Sequence, residues 1–134
     1  MVQQARDTGS SRSLLDKLGV KPGASISVFG GRDRGFPTEL RAWGADVSVG
    51  RRRKGSDLVF LFASRRSELG KISSLEELLK RNGAIWVVFP KGRQEIREAE
   101  VIETGVAAGF VDNKVVRFSD THTALRFVIP LARR

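Results

Sequence analysis

Four short apolar runs in the second half of the chain constrain its fold most strongly: DLVFLFAS, GAIWVVFP, KVVRF and ALRFVIP. They are rich in β-branched and aromatic residues, and their apolar residues are consecutive rather than alternating with polar ones. This pattern is typical of strands that are covered on both faces. Helical patterns separate the first three runs, and a polar turn joins the last two. The order predicts an open, mostly parallel α/β sheet with closing antiparallel strands.

The first half of the chain predicts a smaller unit of the same kind. ASISVFGG reads as a strand that ends in a glycine turn, and Ala45 to Val49 can form a second short strand. A helix beginning at Pro37 and ending before Gly44 suits the crossover between them, since proline is favoured in the first turn of a helix. The other predicted helices span residues 11–18, 74–82 and 94–108. Ser74 and Glu77 have the spacing of a capping box for the helix at residues 74–82.

Composition indicates one soluble domain. A chain of 134 residues can bury a core without disulfides, and it has no cysteine for a disulfide, zinc or thiol site. Residues 1–10 are polar and predict a disordered lead-in, which leaves residues 11–134 as the domain. Neither a signal peptide nor an apolar run of about 18 residues is present, so we expect a cytoplasmic protein with no membrane segment.

Basic residues follow the end of each predicted parallel strand. The chain has 24 lysines and arginines against 15 acids, a net charge of +9. Because ligands of open α/β sheets bind outside the carboxyl ends of the strands, we expect a basic rim there. Its predicted members, with the two glycines of the first turn, are Gly30, Gly31, Arg32, Arg34, Arg51, Arg52, Arg53, Lys54, Arg65, Arg66, Lys91 and Arg93.

Such a rim favours an anionic partner. Arginine pairs its donors with phosphate oxygens, and a glycine turn before a helix exposes backbone N–H groups. A nucleotide, a nucleic acid or another polyanion would fit. The alternative interpretation is that these residues only keep the loops solvated. The absence of tyrosine and of an aromatic ladder among the basic residues weakens a stacking mechanism for RNA.

No residue pattern predicts a catalytic centre or a metal site. The only histidine is in the turn SDTHT and can serve as a general base or simply as a surface residue. The string VDNK can line the rim or shape a turn. These possible site residues are Asp112, Asn113, Lys114 and His122. The loop GGRDRG with Arg51 also permits a weak interpretation as an NADP site, since it lacks the full glycine fingerprint.

The aromatic residues divide into two groups. Trp43 and Trp86 lie within apolar patterns, which favours the core. Phe36 and Phe89 lie near strand ends and are the predicted candidates for contact with a ligand ring.

Several strings resemble the class I S-adenosylmethionine-dependent methyltransferases. LLDKLGVKPGASISVFGG is similar to the helix and first strand before their cofactor loop, and LEELLKRNGAIWVVFPKG to their helix, glycine turn and fifth strand. EVIETGVAAGFVDNKVV resembles their last helix. The strings GAIWVVFPK, GFVDNKV and ALRFV are closer still to a small family of bacterial proteins of unknown activity. The resemblance implies a single Rossmann-like domain that binds S-adenosylmethionine.

The chain departs from that family where the cofactor would be held. The acidic position before the first glycine of the loop matches Val28, and the carboxylate that accepts from the ribose hydroxyls matches Arg51. The third strand region is missing, because only about seven residues separate Val49 from Asp57. We therefore expect a non-catalytic domain that binds an anionic ligand without a cofactor. The alternatives are a minimal methyltransferase with altered cofactor contacts and a scaffold for an acidic protein or a second copy.

Overall fold

The described part of the chain forms one six-stranded sheet in the order β2-β1-β3-β4-β6-β5. The computed structural model describes residues 14–31 and 35–134. The strands are β1 (Ser25–Gly30), β2 (Asp46–Val49), β3 (Ser56–Phe62), β4 (Leu79–Pro90), β5 (Val111–Arg117) and β6 (His122–Val128). The helices are α1 (Gly35–Ala42), α2 (Glu98–Ala107) and the 3₁₀ segments Arg66–Leu78 and Leu131–Arg133. Residues 14–17 are also helical. The expected disorder of residues 1–10 and the N-cap at Ser11 lie outside the described residues.

The sheet has the predicted directions. β1 pairs in parallel with β2 and β3, and β3 pairs in parallel with β4. β6 pairs antiparallel with both β4 and β5. The carboxyl ends of β1 to β5 therefore lie at one edge of the sheet, which we call the carboxyl edge, and the β5–β6 turn lies there too. The predicted parallel α/β sheet with two closing strands is confirmed.

The core has two layers because the central strands are covered on both faces. Val59 and Leu61 of β3 point to one layer, and Leu58 and Phe60 point to the other. Consecutive apolar residues in a strand are thus explained by burial on alternate sides. Trp86 is fully buried in the second layer, where its indole N–H donates to the Leu18 carbonyl at 3.0 Å, so its predicted core position is confirmed.

The link between β2 and β3 is short and runs the full height of the sheet. Residues 50–55 leave β2 at the carboxyl edge and must reach the start of β3 at the amino edge, since both strands point the same way. The Gly50 N–H donates to the Val28 carbonyl at 2.8 Å, and the Ser56 hydroxyl donates to the Arg53 carbonyl at 3.1 Å. Residues 50–55, all of which the structure describes, contain no strand, so the predicted loss of the third strand region between β2 and β3 is confirmed.

The segment before β4 differs from its prediction. A single 3₁₀ segment covers Arg66–Leu78, and β4 begins at Leu79. Buried residues spaced by three explain this conformation, because a 3₁₀ helix has three residues per turn; they are Leu69, Ile72, Leu75 and Leu78. The predicted capping box at Ser74 is wrong, since its hydroxyl donates to the Lys71 carbonyl at 2.8 Å within this segment.

The last long helix is shorter than predicted. α2 starts at Glu98 because Arg93 and Ile96 form an isolated antiparallel bridge before it. Ile96 is buried in the core all the same, which explains why it continued the helical pattern. Gly109 has φ +96° and ends the helix as expected, since this conformation favours glycine.

Candidate ligand-binding cleft

A cleft of about 610 Å³ opens at the carboxyl edge of the sheet. It lies between the end of β1, the end of β3 and the β5–β6 turn, where open α/β sheets bind ligands. Its lining residues are Gly31, Phe62, Ala63, Ser64, Arg65, Glu68, Val88, Phe118, Ser119, Thr121 and His122. Its volume is in the range of small-molecule sites in proteins.

Two half-buried aromatic rings, of Phe62 and Phe118, form one wall of the cleft. Their centroids are 5.6 Å apart in an edge-to-face arrangement. The buried ring of Phe36 on α1 contacts both, at centroid distances of 5.8 Å and 5.1 Å. Edge-to-face pairs of this kind are favourable and fix the orientation of each ring. The wall is therefore apolar, and its two rings are fixed in place by their contacts with Phe36.

Glycine is required where β1 meets β3. Gly30 has φ +70° and Gly31 has φ +73°. A Cβ atom on Gly30 would lie 2.3 Å from the Phe62 carbonyl oxygen, and one on Gly31 would lie 2.9 Å from the Phe62 Cβ and Cγ atoms. The predicted glycine turn thus has a structural role, because it lets β1 end directly against the residue that forms the cleft wall.

Glu68 anchors the loop after β3. One of its carboxylate oxygens accepts from the Ser64 N–H at 2.7 Å, the Ser64 hydroxyl at 3.3 Å and the Arg65 N–H at 3.3 Å. The hydrogen bond from the Ser64 backbone is the main reason that the pKa of this carboxyl lies below its ordinary value. The other oxygen has no hydrogen-bond partner among the described residues, and it adds a negative charge to the cleft.

The β5–β6 turn, which also contains Phe118, supplies hydroxyl groups and an imidazole to the cleft. The Thr121 hydroxyl lies 2.8 Å from Nδ1 of His122, and the His122 N–H donates to the Ser119 hydroxyl at 3.1 Å. The imidazole is therefore positioned by the neutral Thr121 hydroxyl and not by a carboxylate. Arg117 uses its guanidinium on Asp120 at 2.5 Å, which shapes the same turn.

The predicted basic rim is only partly assembled. Arg65 lines the cleft, but Arg66 donates to the Gln94 carbonyl at 3.1 Å and pairs with Glu100 at 3.3 Å. Lys91 and Arg93 line a separate hollow of about 300 Å³ at the start of α2. Arg32 and Arg34 lie outside the described residues.

The tract RRRK does not converge on the rim, contrary to the prediction. Arg53 pairs with Asp46 at 3.2 Å and contacts the Ser25 hydroxyl, both at the amino ends of their strands. Arg52 donates to the Ser74 carbonyl at 2.7 Å, and Lys54 follows Arg53 toward the start of β3. The reason is topological, because the link from β2 to β3 must return to the amino edge. Only Arg51 remains near the carboxyl end of β2.

The string VDNK also lies away from the cleft. The start of β5 contains Asp112, Asn113 and Lys114. It lies at the amino ends of the parallel strands, whereas His122 lies at the carboxyl edge. Asn113 is the extra residue of a bulge against β6, and the Lys114 amine donates to the Lys17 carbonyl at 2.9 Å. Of the four possible site residues, the structure places only His122 in the cleft.

The aromatic prediction named the wrong rings. Phe36 and Phe89 are 1% and 2% exposed, so they belong to the core. Phe62 and Phe118 line the cleft instead, and each follows or ends a strand at the carboxyl edge. A signal was present in the strings FLFAS and VVRFS, where an aromatic residue precedes a small residue at a strand end.

The fold is that of the class I S-adenosylmethionine-dependent methyltransferases. A SAM-dependent methyltransferase from Aquifex aeolicus superposes with a TM-score of 0.62 at 13% identity, covering 90% of this chain and 89% of its own. The ribosomal protein L11 methylase from Lactobacillus delbrueckii subsp. bulgaricus gives 0.66 at 12%, covering 91% and 77%. The Methanococcus jannaschii fibrillarin pre-rRNA processing protein gives 0.57 at 12%, covering 82% and 68%.

These likenesses show the fold alone, because the identities are so low. Neither a family model nor a curated protein matches the sequence. The finer resemblance to a small bacterial family stays a prediction.

The residues present do not fit S-adenosylmethionine in the manner of that family. Val28, at the position of the first acid, is an apolar residue only 3% exposed. Arg51, at the position of the ribose-binding carboxylate, can only donate hydrogen bonds. Within residues 14–31 and 35–134, no group of three His, Cys, Asp or Glu side chains could hold a metal ion. In the same ranges, no helix is long and apolar enough to cross a membrane.

Proposed function

We propose that this chain is a non-catalytic, methyltransferase-like domain that binds an anionic ligand carrying an aromatic ring, a nucleotide or a nucleic-acid end, in the cleft. The observation that carries the proposal is one cleft in which the rings of Phe62 and Phe118 lie with Arg65 and the Gly31 backbone. The proposal moves the predicted anion site from a broad basic rim to this smaller cleft.

The aromatic wall supports a ligand with a planar ring. Both rings are partly accessible, and the Phe36 contacts hold them in place without ligand. Stacking of a base on an aromatic side chain contributes about 1–3 kcal/mol by alanine substitution. A cleft of about 610 Å³ has room for a nucleotide-sized molecule.

Arg65 supports an anionic group on the same ligand. Its side chain is exposed, and its guanidinium donates no hydrogen bond within the described residues. A guanidinium can give paired hydrogen bonds to phosphate. Glu68 lines the same cleft, and its carboxylate lies beside Arg65 and interacts with its charge, so a phosphate would compete with Glu68 for this guanidinium.

The absence of suitable chemistry supports binding without turnover. His122 is hydrogen-bonded to a threonine hydroxyl, and no carboxylate orients it within the described residues. General bases in enzymes are commonly positioned by a third group. The positions that hold the cofactor in the related fold carry Val28 and Arg51 instead of acids.

A minimal S-adenosylmethionine-dependent methyltransferase is the second candidate. It is favoured by the position of the cleft, which lies directly beside the glycine turn after β1 in a fold shared with many methyltransferases. Two of the similar structures are a ribosomal protein methylase and a pre-rRNA processing protein, so a ribosomal or RNA-linked substrate is the class to test for this candidate. It requires the adenosyl group to bind without the usual acids.

The two candidates are separated by thermal unfolding at near-physiological salt with S-adenosylhomocysteine, NADP, single nucleotides and a short RNA added in turn. A ligand at a hundred times its dissociation constant adds about 2.7 kcal/mol to the free energy of unfolding. We expect nucleotides or RNA to raise the melting temperature and S-adenosylhomocysteine to leave it unchanged. Stabilisation by S-adenosylhomocysteine alone would favour the enzyme and refute the proposal.

Variants locate the binding site. Phe118→Leu and Arg65→Gln should each weaken nucleotide binding about tenfold or more. Arg51→Gln is the matched control, because it removes the same charge outside the cleft lining and should change the affinity by less than twofold. Equal weakening by Arg65→Gln and Arg51→Gln would point to the broad rim instead of the cleft. Loss of affinity with added salt measures the phosphate contribution.

A further inference from the structure

Strand β2 is the outermost strand at one side of the sheet, and its outer side carries unpaired backbone groups. In a parallel pair, a residue directs its N–H and C=O groups to the same side, and successive residues alternate. The Asp46 N–H donates to Ala24 and the Gly50 N–H donates to Val28, both at 2.8 Å and both toward β1. Val47 and Val49 therefore direct their backbone groups away from the sheet.

A side chain contacts one of these outward groups. The Arg41 guanidinium donates to the Val47 carbonyl, at 3.4 Å. The Val47 N–H, the Val49 N–H and the Val49 carbonyl have no backbone partner among the described residues. The groups of Val47 and those of Val49 lie about 6.6 Å apart along the strand. An added strand can pair with free backbone groups at this spacing.

The same edge is strongly basic. A groove of about 630 Å³ runs along it. The groove is lined by the last three residues of β2 and by four arginines: Val47, Ser48 and Val49, with Arg41, Arg51, Arg52 and Arg53. Arg53 and Arg52 already pair with Asp46 at 3.2 Å and Glu77 at 3.5 Å. Arg51 has no hydrogen bond or ion pair within the described residues, and its charge is available to a partner.

We propose that β2 is a docking edge for an extended acidic peptide of a partner protein, which adds a strand beside Val47 and Val49 and places carboxylates on Arg41 and Arg51. The edge is separate from the cleft, so this inference does not depend on the proposed function.

Charge selects this occupant over the others. A second copy would bring two sets of these arginines together, in a chain of net charge +9, and like charges across an interface disfavour binding. Side chains two residues apart on a strand lie on the same face of it. Acidic residues at this spacing can therefore place one carboxylate on Arg41, near Val47, and the next on Arg51, beyond Val49. RNA would gain the charge but not the strand pairing, and the described part of the groove lining contains no aromatic ring on which a base can stack.

The test uses the full chain and a fluorescein-labelled eight-residue peptide of alternating glutamate and threonine, with binding followed by anisotropy. Val49→Pro removes an outward N–H, and proline is tolerated at such edge positions because no sheet hydrogen bond is lost. We expect saturable binding to the wild type, with the dissociation constant at least tenfold higher for Val49→Pro and for Arg51→Glu. Lys17→Glu makes the same charge change near β5, at the far edge of the sheet, and should shift it less than twofold.

Two further measurements keep the inference refutable if Val49→Pro does not fold. The same peptide N-methylated at every residue should bind the wild-type chain at least tenfold more weakly, because whichever set of its amides faces β2 can no longer pair. In ¹⁵N-edited spectra, the Val47 and Val49 amides should move on peptide addition more than those of Asp46 and Gly50.

Three outcomes would overturn the inference. They are absence of saturable peptide binding, equal binding of the N-methylated peptide, and tight binding of a uridine-rich RNA that weakens with Arg51→Glu but not with Val49→Pro. The last would identify the groove as a phosphate-backbone surface.

Discussion

Replacing Gly30 with alanine tests how closely β1 approaches the cleft wall. Gly30 and Gly50 have almost the same backbone conformation, with φ +70° and +71°. A Cβ atom on Gly30 would lie 2.3 Å from the Phe62 carbonyl oxygen, whereas one on Gly50 would have no atom of the described residues within 4 Å. The two positions thus share the conformational cost and differ in the steric one.

The expected losses follow from these two terms. An alanine in the left-handed region costs about 1–2 kcal/mol, which is the whole expected effect of Gly50→Ala. Overpacking against a fixed backbone atom adds about 1–3 kcal/mol, so Gly30→Ala should lose about 2–5 kcal/mol. The additional loss arises because β1 must move away from β3 at the residue where the two strands pair, Gly30 with Phe62.

Urea unfolding followed by the fluorescence of the two tryptophans, Trp43 and Trp86, measures both free energies of unfolding. Gly30→Ala should be less stable than Gly50→Ala by at least 1 kcal/mol, with an unchanged slope. If the two variants agree within about 0.5 kcal/mol, β1 does not press on β3 as described, and the support of the cleft wall by the glycine turn is refuted.

Three other perturbations test the packing and the charges. Gly105→Ala should lose about 1–3 kcal/mol despite the better helix propensity of alanine, because its Cβ would lie 2.2 Å from the buried Phe127 ring; urea unfolding measures this. Hydrogen bonds from Arg133, at 2.9 and 3.3 Å, lower the pKa of Glu76. A lowered folded-state pKa stabilises the fold above the ordinary glutamate pKa of about 4.3 and loses this effect as pH falls through the folded value. Glu76→Gln should therefore lose less stability than the wild type between pH 6 and 3, and an equal loss would contradict the pairing. Arg126→Met should leave the melting temperature unchanged or raised, since the buried Nε of Arg126 has no hydrogen-bond partner among residues 14–31 and 35–134; a marked decrease would contradict this expectation.

The strand order was predictable because burial on both faces leaves a clear record in the sequence. Consecutive apolar residues such as VFLF and AIWVVF identify central strands, and turn residues separate them. Gly19 and Gly109 end helices in the conformation that favours glycine, with φ +75° and +96°. Such features are local, and a single sequence contains them in full.

The 3₁₀ segment was predicted only in part because its period was misread. The spacing of Leu75 and Leu78 fits an α-helix and a 3₁₀ helix equally well. Only when Leu69 and Ile72 are included does the run of four apolar residues at intervals of three favour the 3₁₀ helix. The bridge between Arg93 and Ile96 was beyond prediction, because pairing across three residues depends on tertiary packing.

The candidate site was less predictable than the fold because it depends on where loops travel. Arg51, Arg52 and Arg53 are adjacent in sequence, but the return to the amino edge carries Arg53 to Asp46 and Ser25. The topology alone implies this, since a short link between two parallel strands must span their height. The cleft rings meet across distant parts of the chain, and no local pattern encodes that meeting.

The Arg53 clamp also joins the edge of the sheet into one dynamic unit. Its guanidinium contacts Asp46 of β2 and Ser25 of β1, and its carbonyl accepts from Ser56 of β3. Opening β2 therefore requires the link to detach as well, so residues 46–55 should fluctuate together and exchange their amide hydrogens as one low-stability unit. Anything that pairs with this edge would order the whole unit at once, and its affinity would include the free energy of that ordering.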